Sequence, residues 1–211
     1  LRSRGLGDVY KRQAEMALPD GTFVHLNAAT NLEYDVNNSK QRLVKLSGEA
    51  FFDVAKNPDC PFKVIINDLQ IEVVGTSFNV KTYKKDIVET SLLSGRIRIS
   101  GGSLPHEYTL SPGQKATYSA MDRTLRISKA DAHVEAGWRD NYLIFESTPL
   151  IDVIAQIERW YGVEIRLHHK QIAQDLLSGS FRNESIQNVI RSLSIQYGFK
   201  YEIHKDIITI Y

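Results

Sequence analysis

The stretch Leu46–Val80, LSGEAFFDVAKNPDCPFKVIINDLQIEVVGTSFNV, decides the fold class of this chain. It holds three strand-like runs. Ala50, Phe52 and Val54 share one face of the first, Phe62, Val64 and Ile66 of the second, and Leu69, Ile71 and Val73 of the third. Side chains alternate across a strand, so each run can lay one apolar face on a core. Glu49 and Asp53 fall on the opposite, polar face of the first run and read as solvated. Asn57-Pro58-Asp59 and Asn67-Asp68 supply turn chemistry between the runs. Gly75-Thr76 places a glycine inside a strand pattern, which predicts a bulge or a close backbone approach.

The same alternation extends outward on both sides. Before the stretch it appears at Thr22–Asn27, Leu32–Tyr34 and Leu43–Leu46; after it at Phe78–Lys81, Ile87–Leu93, Arg96–Ile99, Tyr108–Leu110, Gln114–Tyr118 and Leu125–Ser128. Turn residues recur roughly every 8–12 positions, as in β-sandwiches and rolls. The expected fold is therefore mostly β, with an all-β sandwich or roll over residues 14–129. At 130–140 the alternation stops and Trp138 stands alone in a polar segment. That segment reads as an interdomain junction.

Residues 141–211 differ in kind, because they repeat. Phe145 and Phe181 are 36 apart (181 − 145), and Leu150/Ile186, Val153/Val189, Ile154/Ile190, Ile157/Leu193, Tyr161-Gly162/Tyr197-Gly198 and His168/His204 keep that offset. A constant offset over so many positions marks an internal duplication. Each copy reads strand, helix, strand. Thr148 with Pro149 predicts one helix start and Asn183 or Ser185 the other; Gly162 and Gly198 predict left-handed helix ends. A last strand at Ile207–Ile210 closes the pattern. The second domain is thus expected to be a small α+β unit built from a duplicated βαβ element.

Composition narrows the function. The first 13 residues, LRSRGLGDVYKRQ, lack apolar periodicity and read as an artificial leader or translated read-through. They carry four basic residues and one acidic, so the net charge of +1 becomes −2 (1 − 3) without them. A slightly acidic chain with no basic stripe is a poor nucleic-acid binder. The lone Cys60 excludes an intrachain disulfide, and no apolar run of about 18 residues exists to span a membrane. His168 and His169 point to opposite faces of a strand, which disfavours a shared metal. No nucleophile elbow or phosphate-cradling loop occurs. No cofactor, metal or small-molecule substrate is expected. One reactive candidate remains: the Thr76 hydroxyl could attack the Gly75 carbonyl and cleave the chain. The plainer reading is that Gly75 permits a bulge and Thr76 bonds backbone.

Several blocks in family order carry a resemblance. Gly48–Val54 (GEAFFDV) and Val74–Val80 (VGTSFNV) resemble the two signature blocks of FecR-type anti-sigma regulators. Leu18–Thr22 (LPDGT) with Leu26-Asn27 resembles the opening block, and Leu93–Ile97 (LSGRI) and Leu110–Gln114 (LSPGQ) the closing ones. Phe145–Gly162 and Phe181–Gly198 resemble the short secretin/TonB N-terminal domain, which also forms the C-terminal part of many such regulators. The resemblance implies the periplasmic region of an inner-membrane anti-sigma factor, without enzymatic activity. Its implied partners are the signalling domain of an outer-membrane TonB-dependent transporter and, through a cytoplasmic segment, an extracytoplasmic-function sigma factor. Some FecR-type regulators are nicked at the Gly-Thr that Gly75-Thr76 matches. The rival class is a carbohydrate-binding or hydrolytic β domain. For the partner surface, the sequence nominates Trp138, Trp160 and an expected sheet edge at Ile207, Ile208, Thr209 and Ile210; the competing reading is that both tryptophans are core.

Overall fold

The computed structural model describes residues 13–34, 42–168 and 170–211. Most of the leading segment, and His169 of the histidine pair, lie outside these. The described chain forms two compact units, 13–140 and 141–211.

The first unit contains β1 (Ala14–Ala17), β2 (Phe23–Leu26), β3 (Asn31–Tyr34), β4 (Arg42–Ser47), β5 (Glu49–Asp53), β6 (Phe62–Ile66), β7 (Leu69–Val73), β8 (Ser77–Lys81), β9 (Ile87–Ser94), β10 (Ile97–Gly101), β11 (Tyr108–Leu110), β12 (Gln114–Ser119) and β13 (Thr124–Lys129). They make one sheet in the order β1-β2-β5-β8-β9-β12-β13 and another in the order β11-β10-β7-β6-β4-β3. All pairs are antiparallel except β4–β6. The three runs of the central stretch divide between the sheets, β5 in the first and β6–β7 in the second. Their apolar faces meet in a core, where the Phe52 ring stacks on Phe78 at 5.2 Å and meets Phe62 of the other sheet at 5.9 Å. This is a β-sandwich, and its core strands keep the alternation read from the sequence.

The segment after β13 departs from its expectation as an irregular junction. Ala132–Ala136 forms a one-turn helix, α1, capped by the Asp131 carboxylate on the His133 N–H, and Gly137–Asp140 continues as a 3₁₀ turn. Both belong to the first unit.

The second unit runs β14 (Tyr142–Pro149), α2 (Leu150–Tyr161), β15 (Glu164–Leu167), a 3₁₀ turn, β16 (Leu176–Arg182), α3 (Ile186–Tyr197), β17 (Tyr201–His204) and β18 (Ile207–Ile210). The helices bury the faces their periodicity predicts, Leu150, Val153, Ile154 and Ile157 in α2 and Ile186, Val189, Ile190 and Leu193 in α3. Both end at a left-handed glycine, Gly162 (φ 68°) and Gly198 (φ 70°). Their starts differ: Ser185 caps α3 through the Asn188 N–H, whereas Pro149 precedes α2 with no side-chain cap.

The duplicated copies interlock through their first strands. β14 pairs antiparallel with β16, and Ile144 lies opposite Ser180, 36 positions away (180 − 144). That register puts a local two-fold at the pair, and the repeated Phe145 and Phe181 rings meet edge to face at 6.4 Å beside it. The second strands of the copies enter another sheet, ordered β15-β18-β17. Here the expectation of an edge at Ile207–Ile210 is corrected. β18 is the central strand, parallel to β15 and antiparallel to β17. A two-residue turn at Lys205-Asp206 returns the chain against β17, and the unused side of β18 is taken by the strand from the first copy.

Candidate functional site

Two features of the first unit gather polar side chains where a sandwich would ordinarily need none. The first is on the outer face of the seven-stranded sheet. At one register His25, Phe51, Asn79, Ser91 and Lys115 lie side by side across β2, β5, β8, β9 and β12. The segment 131–140 crosses this row. The Glu135 carboxylate takes a bond from Lys115 Nζ at 2.9 Å, Trp138 Nε1 donates to Asn79 Oδ1 at 3.2 Å, and the Arg139 guanidinium sits 3.6 Å from the centre of the Phe51 ring.

Beneath Trp138 lies a buried carboxylate. Glu49 is only 6% exposed and accepts from Asn27 Nδ2 at 2.8 Å and Asn79 Nδ2 at 3.0 Å. Gln13 Nε2 reaches both Asn27 Oδ1 and the Trp138 carbonyl. The sequence reading placed Glu49 on a solvated face; the structure corrects this, holding its carboxylate buried between Asn27 and Asn79, and Asn79 in turn takes the Trp138 indole of segment 131–140. Asp53, four residues on from Glu49, is exposed as expected and accepts from Ser77 Oγ. A buried carboxylate is costly unless hydrogen-bonded, and two amide donors meet that need.

Lys115 is the charged end of the row. Burial alone would lower its pKa, but the Glu135 and Glu89 carboxylates more than offset that and raise it. Glu89 is correspondingly lowered: burial pushes it up, and Lys115 with Lys81 pulls it further down.

The second feature pins the opening block to β4. Arg42, 5% exposed, donates to Asp20 Oδ2 at 2.6 Å, to the Ala55 and Cys60 carbonyls, and to Thr22 Oγ1. Burial would raise the Asp20 pKa; the bonds from the Thr22 N–H and from Arg42 lower it overall.

The reactive candidate Gly75-Thr76 lies between β7 and β8, beside a register shift at Ser77/Phe78. A Cβ on Gly75 would stand 2.8 Å from Lys56 Cα, so the glycine is there for a close backbone approach. Thr76 is buried, and its hydroxyl donates to the Arg96 carbonyl at 3.1 Å while its own carbonyl accepts from the Val54 N–H. The proton an attack on Gly75 would have to lose is thus already given to a backbone oxygen.

The nominated partner residues come out differently from their sequence reading. Trp138 and Trp160 are each 7% exposed, Trp160 on the buried face of α2. Neither offers its indole as an exposed anchor. Ile208 and Ile210 are buried, and Thr209 lies opposite Arg166 on one side and Glu202 on the other. The edges of that sheet are instead β15 and β17. On β15 the outward Ile165 N–H is taken by Glu158 Oε1 at 2.7 Å. On β17 the bond from the Tyr211 N–H to the Lys200 carbonyl sets the phase, so Glu202 and His204 face β18 while the backbone of Tyr201 and Ile203 faces outward. An open cleft of about 490 Å³ near this end is lined by His168, Gln171, Gly198, Lys200 and Tyr211, with the His168 ring stacked on Tyr211. Among the described residues no cluster of His, Cys, Asp and Glu has the geometry of a metal site, and no helix is long and apolar enough to cross a membrane.

The polar locks fall on the blocks quoted from the sequence: Asp20 and Thr22 in the opening one, Asn27 beside it, Glu49 and Asn79 in the two signature blocks, Thr76 against Arg96 of a closing one. Comparison with known proteins agrees. The FecR protein family profile matches residues 10–98, and that of the FecR C-terminal region matches 142–210. Two crystal structures of a proposed anti-sigma factor from Parabacteroides distasonis ATCC 8503, at 1.65 and 2.50 Å, superpose with TM-scores of 0.85 and 0.84. Each is 30% identical to this chain, with 96% of this chain and 95% of the other aligned. The chain belongs to the FecR family of anti-sigma factors. No curated protein matches it. The FecR family is a regulatory, non-enzymatic family.

Proposed function

We propose that this chain is the periplasmic signal-receiving region of a transmembrane anti-sigma factor. In this reading it relays ligand status from an outer-membrane TonB-dependent transporter to an extracytoplasmic-function sigma factor, the latter held by a cytoplasmic segment outside this sequence. The observation that supports it is the pairing of the two FecR regions in one chain, the second a doubled βαβ unit in which β17 is a sheet edge among the described residues. A strand of the transporter's small signalling domain would add to that edge through backbone hydrogen bonds. The partner surface proposed from sequence at Ile207–Ile210 therefore moves to Tyr201–His204.

The test is calorimetry of the chain against the transporter's signalling domain. Ile203→Pro removes an outward N–H and no ladder bond, and should weaken binding at least tenfold, about 1.4 kcal/mol, in a protein that still folds. Glu202→Pro removes an N–H that faces β18 and should instead destabilise the unit itself. Unchanged affinity in a folded Ile203→Pro protein excludes the β17 edge; no binding by the unmutated chain removes the transporter reading altogether. Against the rival carbohydrate reading stands the burial of both tryptophans. A thermal-shift screen with oligosaccharides should give no stabilisation. At Gly75-Thr76 the contacts support a turn-fastening hydroxyl. Self-cleavage would show as two fragments in an intact-mass spectrum, reduced to one chain by Thr76→Ala.

A further inference from the structure

We propose that residues 131–140 are a releasable strap, which opens from the outer face of the seven-stranded sheet without unfolding the sandwich. Three observations carry this. First, the strap has little fold of its own. Its helix is a single turn, and of its residues only Ala136, Gly137 and Trp138 are buried. Second, its anchors are discrete and mostly polar: Glu135 on Lys115, Trp138 on Asn79 and, through its carbonyl, Gln13, and Arg139 on Phe51. Third, the surface beneath can tolerate water. Asn79, Ser91, Glu49 and Lys115 regain hydration when uncovered, whereas an aliphatic face would pay the full hydrophobic cost. The inter-sheet core around Phe52, Phe62 and Phe78 lies on the other side of the sheet and does not depend on the strap.

The order of release follows from the chain. Asp140 is bonded to Asn141, where the second unit begins, so a pull from that side reaches Arg139 first, then Trp138, then Glu135. Buried polar groups with alternative partners in water form the kind of two-state element that a transmitted displacement can bias. Phe51 and the indole are the apolar surfaces that opening would expose. The inference concerns this chain alone and stands or falls independently of the transporter reading.

The experiment uses the full chain with Trp160→Phe, which leaves Trp138 as its only tryptophan. The exchange rate of the Trp138 Nε1 proton is measured by NMR together with those of the β5 and β8 amides. The expected result is an indole proton that exchanges at least tenfold faster than the slowest amides of those strands, through openings that leave them protected. In Arg139→Gln, which takes the guanidinium off Phe51 and leaves both donors to Glu49 in place, Trp138 emission should shift to the red, acrylamide quenching should rise severalfold and indole exchange should accelerate, with the strand amides unchanged. Glu135→Gln, which weakens the anchor on Lys115, should act in the same sense. An indole proton that exchanges only at the rate of the slowest strand amides overturns the proposal, as does a variant in which strap and strands lose protection together.

Discussion

The sandwich and the small α+β unit use the same alternating residues to opposite ends. In 13–140, two sheets face one core, and each strand's apolar side has one place to go. Strand-by-strand alternation is then enough to say which residues enter that core. In 141–211, corresponding strands of the two copies enter the same sheet, β14 with β16 and β15 with β17, but only the first two pair with each other. β15 and β17 occupy corresponding places in the two copies, yet one runs parallel and the other antiparallel to the same β18. Duplication thus repeats the local structure but not the pairing. The extra strand β18 follows only the second copy and breaks the symmetry. The units also differ in where charge is kept. The sandwich buries Arg42 against a largely covered Asp20 and half-buries the Lys115 cluster, whereas the ion pair Arg166–Glu164 of the smaller unit is exposed.

The strongest way to break this contrast is at the sandwich core. Phe52→Ala should destabilise the first unit by about 3–5 kcal/mol, the usual range for a buried phenylalanine. Scanning calorimetry should show that unit's transition fall while a weaker, separate transition from 141–211 stays in place. A single transition that shifts as a whole would show that the two units unfold as one.

Next comes the buried ion pair. Arg42→Met strands Asp20 and leaves the Ala55 and Cys60 carbonyls without their donor, and should cost about 3 kcal/mol in denaturant unfolding. The counterpart in the small unit, Arg166→Met, breaks an exposed pair and should change stability by less than about 1 kcal/mol.

Acid should separate the units in the same sense. In the folded protein the Asp20 and Glu89 carboxyls are held below their ordinary values of 3.8 and 4.5. Their contribution is present in full above those values and is lost as pH falls through the lower, folded ones. The first unit should therefore lose stability progressively below about pH 4.5. Lys115 runs the other way: raised above 10.5, it stabilises below that pH and its contribution fades as pH rises through the folded value. Denaturation midpoints of the sandwich that are flat from pH 5 to 3 would contradict the buried pairs.

The smallest effects test the duplication itself. Gly162→Ala and Gly198→Ala each place a Cβ in the left-handed region, and each should cost about 1–2 kcal/mol. Equal costs would confirm that the two helix ends are energetically as alike as they are in backbone. Ser185→Ala should cost about 1 kcal/mol, with no equivalent at Pro149, since only α3 has a side-chain cap.

How far the sequence reached follows from which forces are local. Alternation fixes the inward face of a strand, so Phe52, Phe62, Val64 and Ile71 could be placed in a core from the chain alone. Helix faces, glycine caps and the 36-residue repeat were legible for the same reason: each is decided within a few residues or by comparison of one segment with another. The quoted blocks were legible as a resemblance, but not why they hold the residues they do. Glu49 looked solvated because periodicity sees only its own strand and knows nothing of Asn27 and Asn79, its donors from 22 and 30 residues away. Trp138 looked isolated because its acceptor, Asn79, is 59 residues away. Ile207–Ile210 looked like an edge because it is last in the chain, yet β15 had left one side open for it. Which face is apolar is a property of sequence; which strand lies alongside, and what covers the polar face, depends on contacts between distant residues, and only the tertiary structure decides it.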